Sequence, residues 1–259
     1  MRTGIYGVLA CAVLASLGCL ATPNSRAADL YDAAVQHTGR PAAGLERDKL
    51  EHPADILRLS GIKPGMRVAD VLAGAGYYSE LLSYVVGPKG HVLLLNNTAY
   101  DKWSEGGWEK RLADNRLPNV EHRTVDLEHL DLPDHSLDAL WLMKTYHDFY
   151  WVDTDPKGTW PKMDAGVVLD QLTRVLKPGG IVLVEDHSAK PGTGSTVASS
   201  LHRIEETYTV RDFEKRGFKL IGKSDLLRKP EDQRETVSYT PPGLGHTDRF
   251  LLVFRKNGG

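Results

Sequence analysis

The run Lys144-Thr-Tyr-His-Asp148 gathers the side chains best suited to moving a proton. His147 is the side chain most easily poised to accept one near neutral pH, and Asp148 beside it can tune that readiness if the two touch. Tyr146 can hydrogen-bond a substrate or pack against a bound ring. The alternative is a histidine that merely caps the next helix. Glu185-Asp-His187 offers further carboxylate and imidazole ligands, but no second His/Asp cluster stands at ligand spacing, so no metal site is expected. Both cysteines, Cys11 and Cys19, fall in the first twenty residues, which leaves the remainder without a thiolate nucleophile.

A second stretch, Met66 to Glu80, carries binding rather than proton chemistry. Val68 to Leu72 is short, apolar and β-branched, with Asp70 inside it; Gly74 and Gly76 follow, and Tyr77 begins a segment with Leu81, Leu82 and Val85 at helical spacing. That order is strand, glycine turn, helix. The glycines let the backbone bend tightly and leave room for a ligand, and the helix start offers free N–H groups to its polar atoms. The dinucleotide fingerprint wants a third glycine near Ser79, which is absent.

These stretches must be positioned by a sheet. Strand-like segments recur at His91–Asn97, Val120–Val125 and Leu137–Met143, and a turn Leu176-Lys-Pro-Gly-Gly180 leads into another, Ile181–Glu185. Helical patterns separate them, notably Asp164–Leu176, so the segments read as βα units of a parallel sheet. Phe218–Ser224 and Arg249–Phe254 supply a closing pair of strands, and no repeat or separate second domain is evident. Asn97 to Arg116 reads as a loop through Trp103 and Gly106-Gly107, then a helix from Trp108.

From Gly61 to His187 this succession resembles the class I S-adenosyl-L-methionine (SAM)-dependent methyltransferases. Within them, Arg47-Asp48, His52-Pro53, Gly74-Ala-Gly-Tyr-Tyr78, Tyr146-His-Asp148 and Thr247-Asp-Arg-Phe250 resemble a group of exported bacterial methyltransferases. The resemblance implies a Rossmann-like α/β fold: a mostly parallel seven-stranded sheet with an antiparallel last strand, over residues 61–259. It implies SAM held by Asp70, Leu72, Gly74, Gly76, Tyr77, Asn96, Asp126, Leu127 and Lys144. His147, Tyr146 and Asp148 would act on the acceptor. Two positions depart from the pattern. Leu72 stands where the glycine loop usually begins, and Asn96 stands where an acid usually binds the ribose. An amide hydrogen-bonds a hydroxyl less strongly than a carboxylate. Residues 28–60 form the N-terminal helical cap, whose Arg47, Asp48 and His52 either face the cofactor or pair on the surface.

Residues 1–27 read as a secretory signal: Arg2, an apolar run Ile5–Leu20, and Ser25-Arg-Ala27 as a cleavage site. Cleavage after Ala27 leaves no cysteine, suits a periplasmic or secreted location, and leaves no stable membrane insertion. Losing Arg2 and Arg26 leaves 30 basic residues against 34 acidic. No basic run with interleaved aromatics appears, so no nucleic-acid partner is expected. Tyr150–Met163 is an aromatic insert whose Trp151 and Trp160 either line a pocket or pin the loop. His246-Thr-Asp-Arg249 reads as surface ion pairing.

The expected activity is methyl transfer from SAM to a small or medium-sized acceptor. The alternative is a non-catalytic binding protein on a degenerate methyltransferase fold, and SAM binding separates the two. A nicotinamide oxidoreductase is disfavoured by the missing glycine.

Overall fold

The computed structural model describes Met1, residues 29–152 and residues 160–258. The expected signal peptide, both cysteines and part of the aromatic insert lie outside the described residues. The cap is α1 (Leu30–Val35), α2 (Ala42–Glu51) and α3 (Pro53–Ser60). Then come β1 (Arg67–Val71), α4 (Tyr77–Val86), β2 (His91–Asn96), α5 (Thr98–Trp103), α6 (Gly107–Leu112), β3 (Val120–Thr124) and β4 (Leu137–Met143). The remainder is α7 (Ala165–Val175), β5 (Leu176–His187), α8 (Ala198–Leu201), α9 (Glu206–Lys215), β6 (Phe218–Ser224) and β7 (Arg249–Lys256).

The seven strands lie in the order β3-β2-β1-β4-β5-β7-β6, with β7 antiparallel to both of its neighbours. This is the expected sheet. Helices cover both faces, so the central strands are apolar throughout instead of alternating with polar residues. Ala69 and Val71 pack on one face with Leu140, Leu142 and Leu172. Val68 packs on the other with Trp141, Leu57 and Leu81. Strand side chains alternate between the faces, so one run feeds both cores.

Two local expectations are corrected. Residues 98–103 are helical, because the Asn97 side chain accepts the Tyr100 N–H at 2.8 Å and caps the first turn. The Leu176-Lys-Pro-Gly-Gly turn lies inside β5 rather than before it, with Gly179 left-handed at φ 75°. The strand already pairs at Leu176 with Leu137, then shifts register so that Ile181 pairs with Ala139. Among the described residues, no helix is long and apolar enough to cross a membrane.

Candidate active site

β1, β4 and β5 all end at one edge of the sheet, and the loops leaving that edge carry the site. After β1 the backbone enters the left-handed region three times, at Leu72 (φ 53°), Gly74 (φ 58°) and Gly76 (φ 74°). Only the glycines do so without steric cost. Leu72 is held there by its buried side chain, which joins the core. A Cβ at Gly76 would stand 2.6 Å from Leu94 Cδ1, so a side chain here would have to displace Leu94 and hold a left-handed backbone at a steric cost. α4 begins at Gly76, which has no side chain to cap the helix, and the Ser79 N–H of its first turn is taken by Asp70. Asp70 is buried and accepts the Ser79 hydroxyl at 2.7 Å, which fastens α4 to β1. Burial pushes its carboxyl up to about 7, against the pull of Ser79, Arg47 and Arg111.

Asn96, at the end of β2, turns into this loop. Its Oδ1 accepts the Gly74 N–H at 2.9 Å, while its Nδ2 donates to Gly74 O at 3.0 Å and to Asp101 Oδ1 at 2.9 Å. The amide is wholly buried and braces the glycine turn. α5 then lies over the turn: Trp103 Cζ3 is 3.1 Å from where a Gly74 Cβ would stand, with Tyr100 beside it. Arg111 of α6 donates Nε to Ala75 O at 2.6 Å. Past β3, Asp126 is exposed and caps a turn, accepting from Glu128 N and pairing with His129; Leu127 is core.

The cap docks beside the same loop. The Tyr77 hydroxyl donates to Asp48 Oδ1 at 2.6 Å, Arg40 pairs with Asp48 at 2.7 Å, and Arg47 lies over the Tyr77 ring at 4.1 Å. His52 is exposed in the left-handed link between α2 and α3. Glu51 bridges Lys144 Nζ and Arg249 Nη1, each at 2.5 Å, and Arg249 also reaches Glu185 Oε1 at 2.5 Å. Burial opposes ionisation of Glu51, yet Lys144, Arg249 and Arg47 together hold its carboxyl well below the usual range. Asp248 and Arg249 are both buried, so the expected surface ion pairing at 246–249 is corrected: Asp248 accepts from Arg228, Arg234 and the Lys229 N–H.

The histidine site forms past β4, on a 3₁₀ turn His147–Tyr150. His147 Nδ1 lies 2.7 Å from Asp186 Oδ1 of β5, and the His147 N–H donates to Asp186 Oδ2 at 2.8 Å. His147 Nε2 faces Asp148 Oδ1 at 3.2 Å and His202 Nδ1 at 3.1 Å. Burial opposes protonation of His147, but Asp148 and Asp186 outweigh it and raise the group to about 10. Burial and His147 push His202 down to about 4. Tyr146 turns away, donating to Asp212 Oδ2 at 2.5 Å within the core.

Residues 69–184 match the family model described as "Methyltransferase domain". The sheet order and the glycine turn agree with this match. The chain has the class I methyltransferase fold, and residues 69–184 within it are similar to a methyltransferase domain. It is 32% identical over 157 residues to the ubiquinone/menaquinone biosynthesis C-methyltransferase UbiE of Ectopseudomonas mendocina, covering 59% of this chain and 52% of that one. It is 30% identical over 195 residues to its namesake in a Shewanella strain, covering 75% and 65%. The chain spans about half the length of several of the curated relatives it matches. A SAM-dependent methyltransferase from Aquifex aeolicus superposes with a TM-score of 0.58 at 23% identity, over 81% of this chain and 92% of that one. The cyclase SpnF superposes at 0.55 and 17% identity, over 81% and 83%. At these identities the likeness speaks to fold alone, which hosts more than one chemistry.

In this chain the anticipated residues separate among the glycine turn, the Glu51 cluster, the histidine site and positions outside all three. Leu72, Gly74, Gly76, Tyr77 and Asn96 build the glycine turn, with Asp70 beneath it. Lys144 joins the Glu51 cluster, and His147 and Asp148 form the histidine site. Asp126 stands exposed just past β3 and caps its own turn, Leu127 is in the core, and Tyr146 is tied to Asp212. Sequence reasoning did not find Glu51, Tyr100, Asp186, His202 or Arg249 as site residues. Of these only Asp186, beside the noted Glu185 and His187, lay within a run already marked by its ligand types.

Proposed function

We propose that this chain transfers a methyl group from SAM to a small or medium-sized acceptor. The observation that carries the reading is the turn after β1, with Gly74 and Gly76 left-handed and α4 starting directly behind it. SAM supplies an already activated sulfonium methyl, so the protein's part is to bind, align and exclude water. The amino-acid end of SAM has candidate partners on the page. Tyr78 Oη and Glu185 Oε2 are buried without a hydrogen-bond partner among the described residues, next to the Lys144 cluster. An ammonium and a carboxylate would satisfy such groups.

The acceptor side is supported by a cleft of about 390 Å³ lined by Phe149, Tyr150, Trp151, Met163 and Gly166, beside the histidine site. The curated relatives are named as C-methyltransferases, which supports carbon as the receiving atom. His147 is better suited to holding charge than to accepting a proton, because Asp148 and Asp186 keep it protonated well above neutral pH. We further infer export directed by residues 1–27; sequencing the N-terminus of the protein from the periplasmic fraction tests this, with Ala28 expected first.

Calorimetric titration of SAM and S-adenosylhomocysteine into the purified chain tests the main reading. Micromolar binding is expected, lost in Gly76→Val, whose side chain would strike Leu94. No heat and no thermal shift at millimolar ligand would overturn it and favour a binding protein on this fold.

A further inference from the structure

We propose that His147, Asp148 and His202 form a binding site for a divalent transition-metal ion of the zinc class. The donor atoms are His147 Nε2, Asp148 Oδ1 and His202 Nδ1, separated by 3.1, 3.2 and 3.6 Å. Three ligands about 2.05 Å from a tetrahedral ion stand about 3.3 Å from one another, so these atoms already outline one face of a tetrahedron. Two imidazoles with one carboxylate suit zinc and its neighbours rather than magnesium or calcium, which prefer oxygen. The fourth corner takes a water or an acceptor oxygen, as in zinc sites that do chemistry.

The ligands are also held as ligands are. His147 Nδ1 points at Asp186 Oδ1, 2.7 Å away, which directs Nε2 at the ion, and binding would displace to solvent the proton that Nε2 holds in the metal-free protein. Asp186 is itself wholly buried and fixed by the backbone N–H groups of His147 and His187. Asp148 uses its other oxygen to accept the Tyr100 hydroxyl at 2.6 Å, leaving Oδ1 for the metal. Trp151 lies against the His202 ring at 4.1 Å and restricts its rotation. His202 follows α8, far along the chain from His147, so the convergence is not the by-product of neighbouring residues on one turn.

The site stands past β4 and β5, at the same sheet edge as the glycine turn past β1. If the methyltransferase reading holds, an acceptor carrying a hydroxyl or carbonyl oxygen near the methylated atom fits the open corner. That consequence for substrate rests on the methyltransferase reading, whereas metal binding does not.

The test uses the full chain without SAM, so that its failure is distinct from failure of cofactor binding. The protein is stripped with chelator, dialysed against buffered Zn²⁺ and analysed for metal, and Co²⁺ is titrated in parallel by visible absorption. One equivalent of zinc per chain is expected, with the intense visible bands of tetrahedral Co²⁺. Both should be lost in His202→Ala and Asp148→Asn and kept in His246→Gln, an exposed histidine. Zn²⁺ should raise the melting temperature of the parent chain but not of His202→Ala, and the unliganded melts show whether each variant folds. Substoichiometric zinc in the parent, or unchanged binding in a folded His202→Ala, would overturn the proposal. The cluster would then be an imidazolium held between carboxylates.

Discussion

Tyr100 of α5 donates its hydroxyl to Asp148 Oδ2 across 2.6 Å, tying the segment after β2 to the turn after β4. β1 lies between those strands, so this bond spans the edge from which the glycine turn projects. Burial and the Asp148 carboxylate together push the Tyr100 phenol well above its usual range, so it stays a donor at all ordinary pH. One side chain thereby links the roof of the glycine turn to the histidine site.

Tyr100→Phe removes the donor and leaves a buried carboxylate oxygen without it. The expected loss is about 1–3 kcal/mol in urea unfolding. A change below about 0.5 kcal/mol would show that the tie contributes nothing measurable.

Asn96→Asp restores the acid that the superfamily places after β2. It is nevertheless expected to destabilise, because both Nδ2 bonds are lost and a carboxylate oxygen is set against Gly74 O and Asp101. A loss on the order of 2 kcal/mol is expected, with no gain in SAM affinity. Tighter SAM binding in Asn96→Asp would instead show that residue 96 reaches the ribose.

Glu51→Gln leaves Lys144 and Arg249 facing a neutral amide in a buried setting. Breaking one side of such a cluster costs about 3–5 kcal/mol. Since Glu51 closes α2 onto the sheet edge, limited proteolysis should release the cap faster in this variant. Unchanged stability and cleavage would remove the cluster from any role in docking the cap.

The pH dependence follows from Asp70. Its folded value is about 7 against an ordinary 3.8, so between those values the folded chain binds the proton more tightly than the unfolded one. This contribution to stability is therefore full below about pH 4, declines as pH rises toward 7 and is flat above. A shift of this size corresponds to something on the order of 4 kcal/mol across that window. Asp70→Asn keeps an acceptor for Ser79 and should flatten the decline. Parallel stability–pH curves for the two proteins would assign the slope elsewhere.

The sheet was legible because its signals are local. Val68–Val71, His91–Asn96 and Leu137–Met143 are apolar runs of strand length, and Gly74 and Gly76 mark the only turn geometry that follows β1. The α5 helix was missed because Trp103 and two glycines obscured a cap supplied by one side chain, Asn97. Glycine freedom and hydrophobic period are written into neighbouring residues, and chain order alone then places β1, β4 and β5 at one edge. Which side chains meet there is decided through space. His147 finds Asp186 and His202, which lie 39 and 55 residues further on, and Glu51 finds Arg249 across 198 residues. No periodicity encodes such contacts. They depend on which polar groups the packed core removes from water together, and desolvation compels each buried charge to find a partner among whatever the tertiary fold has brought near.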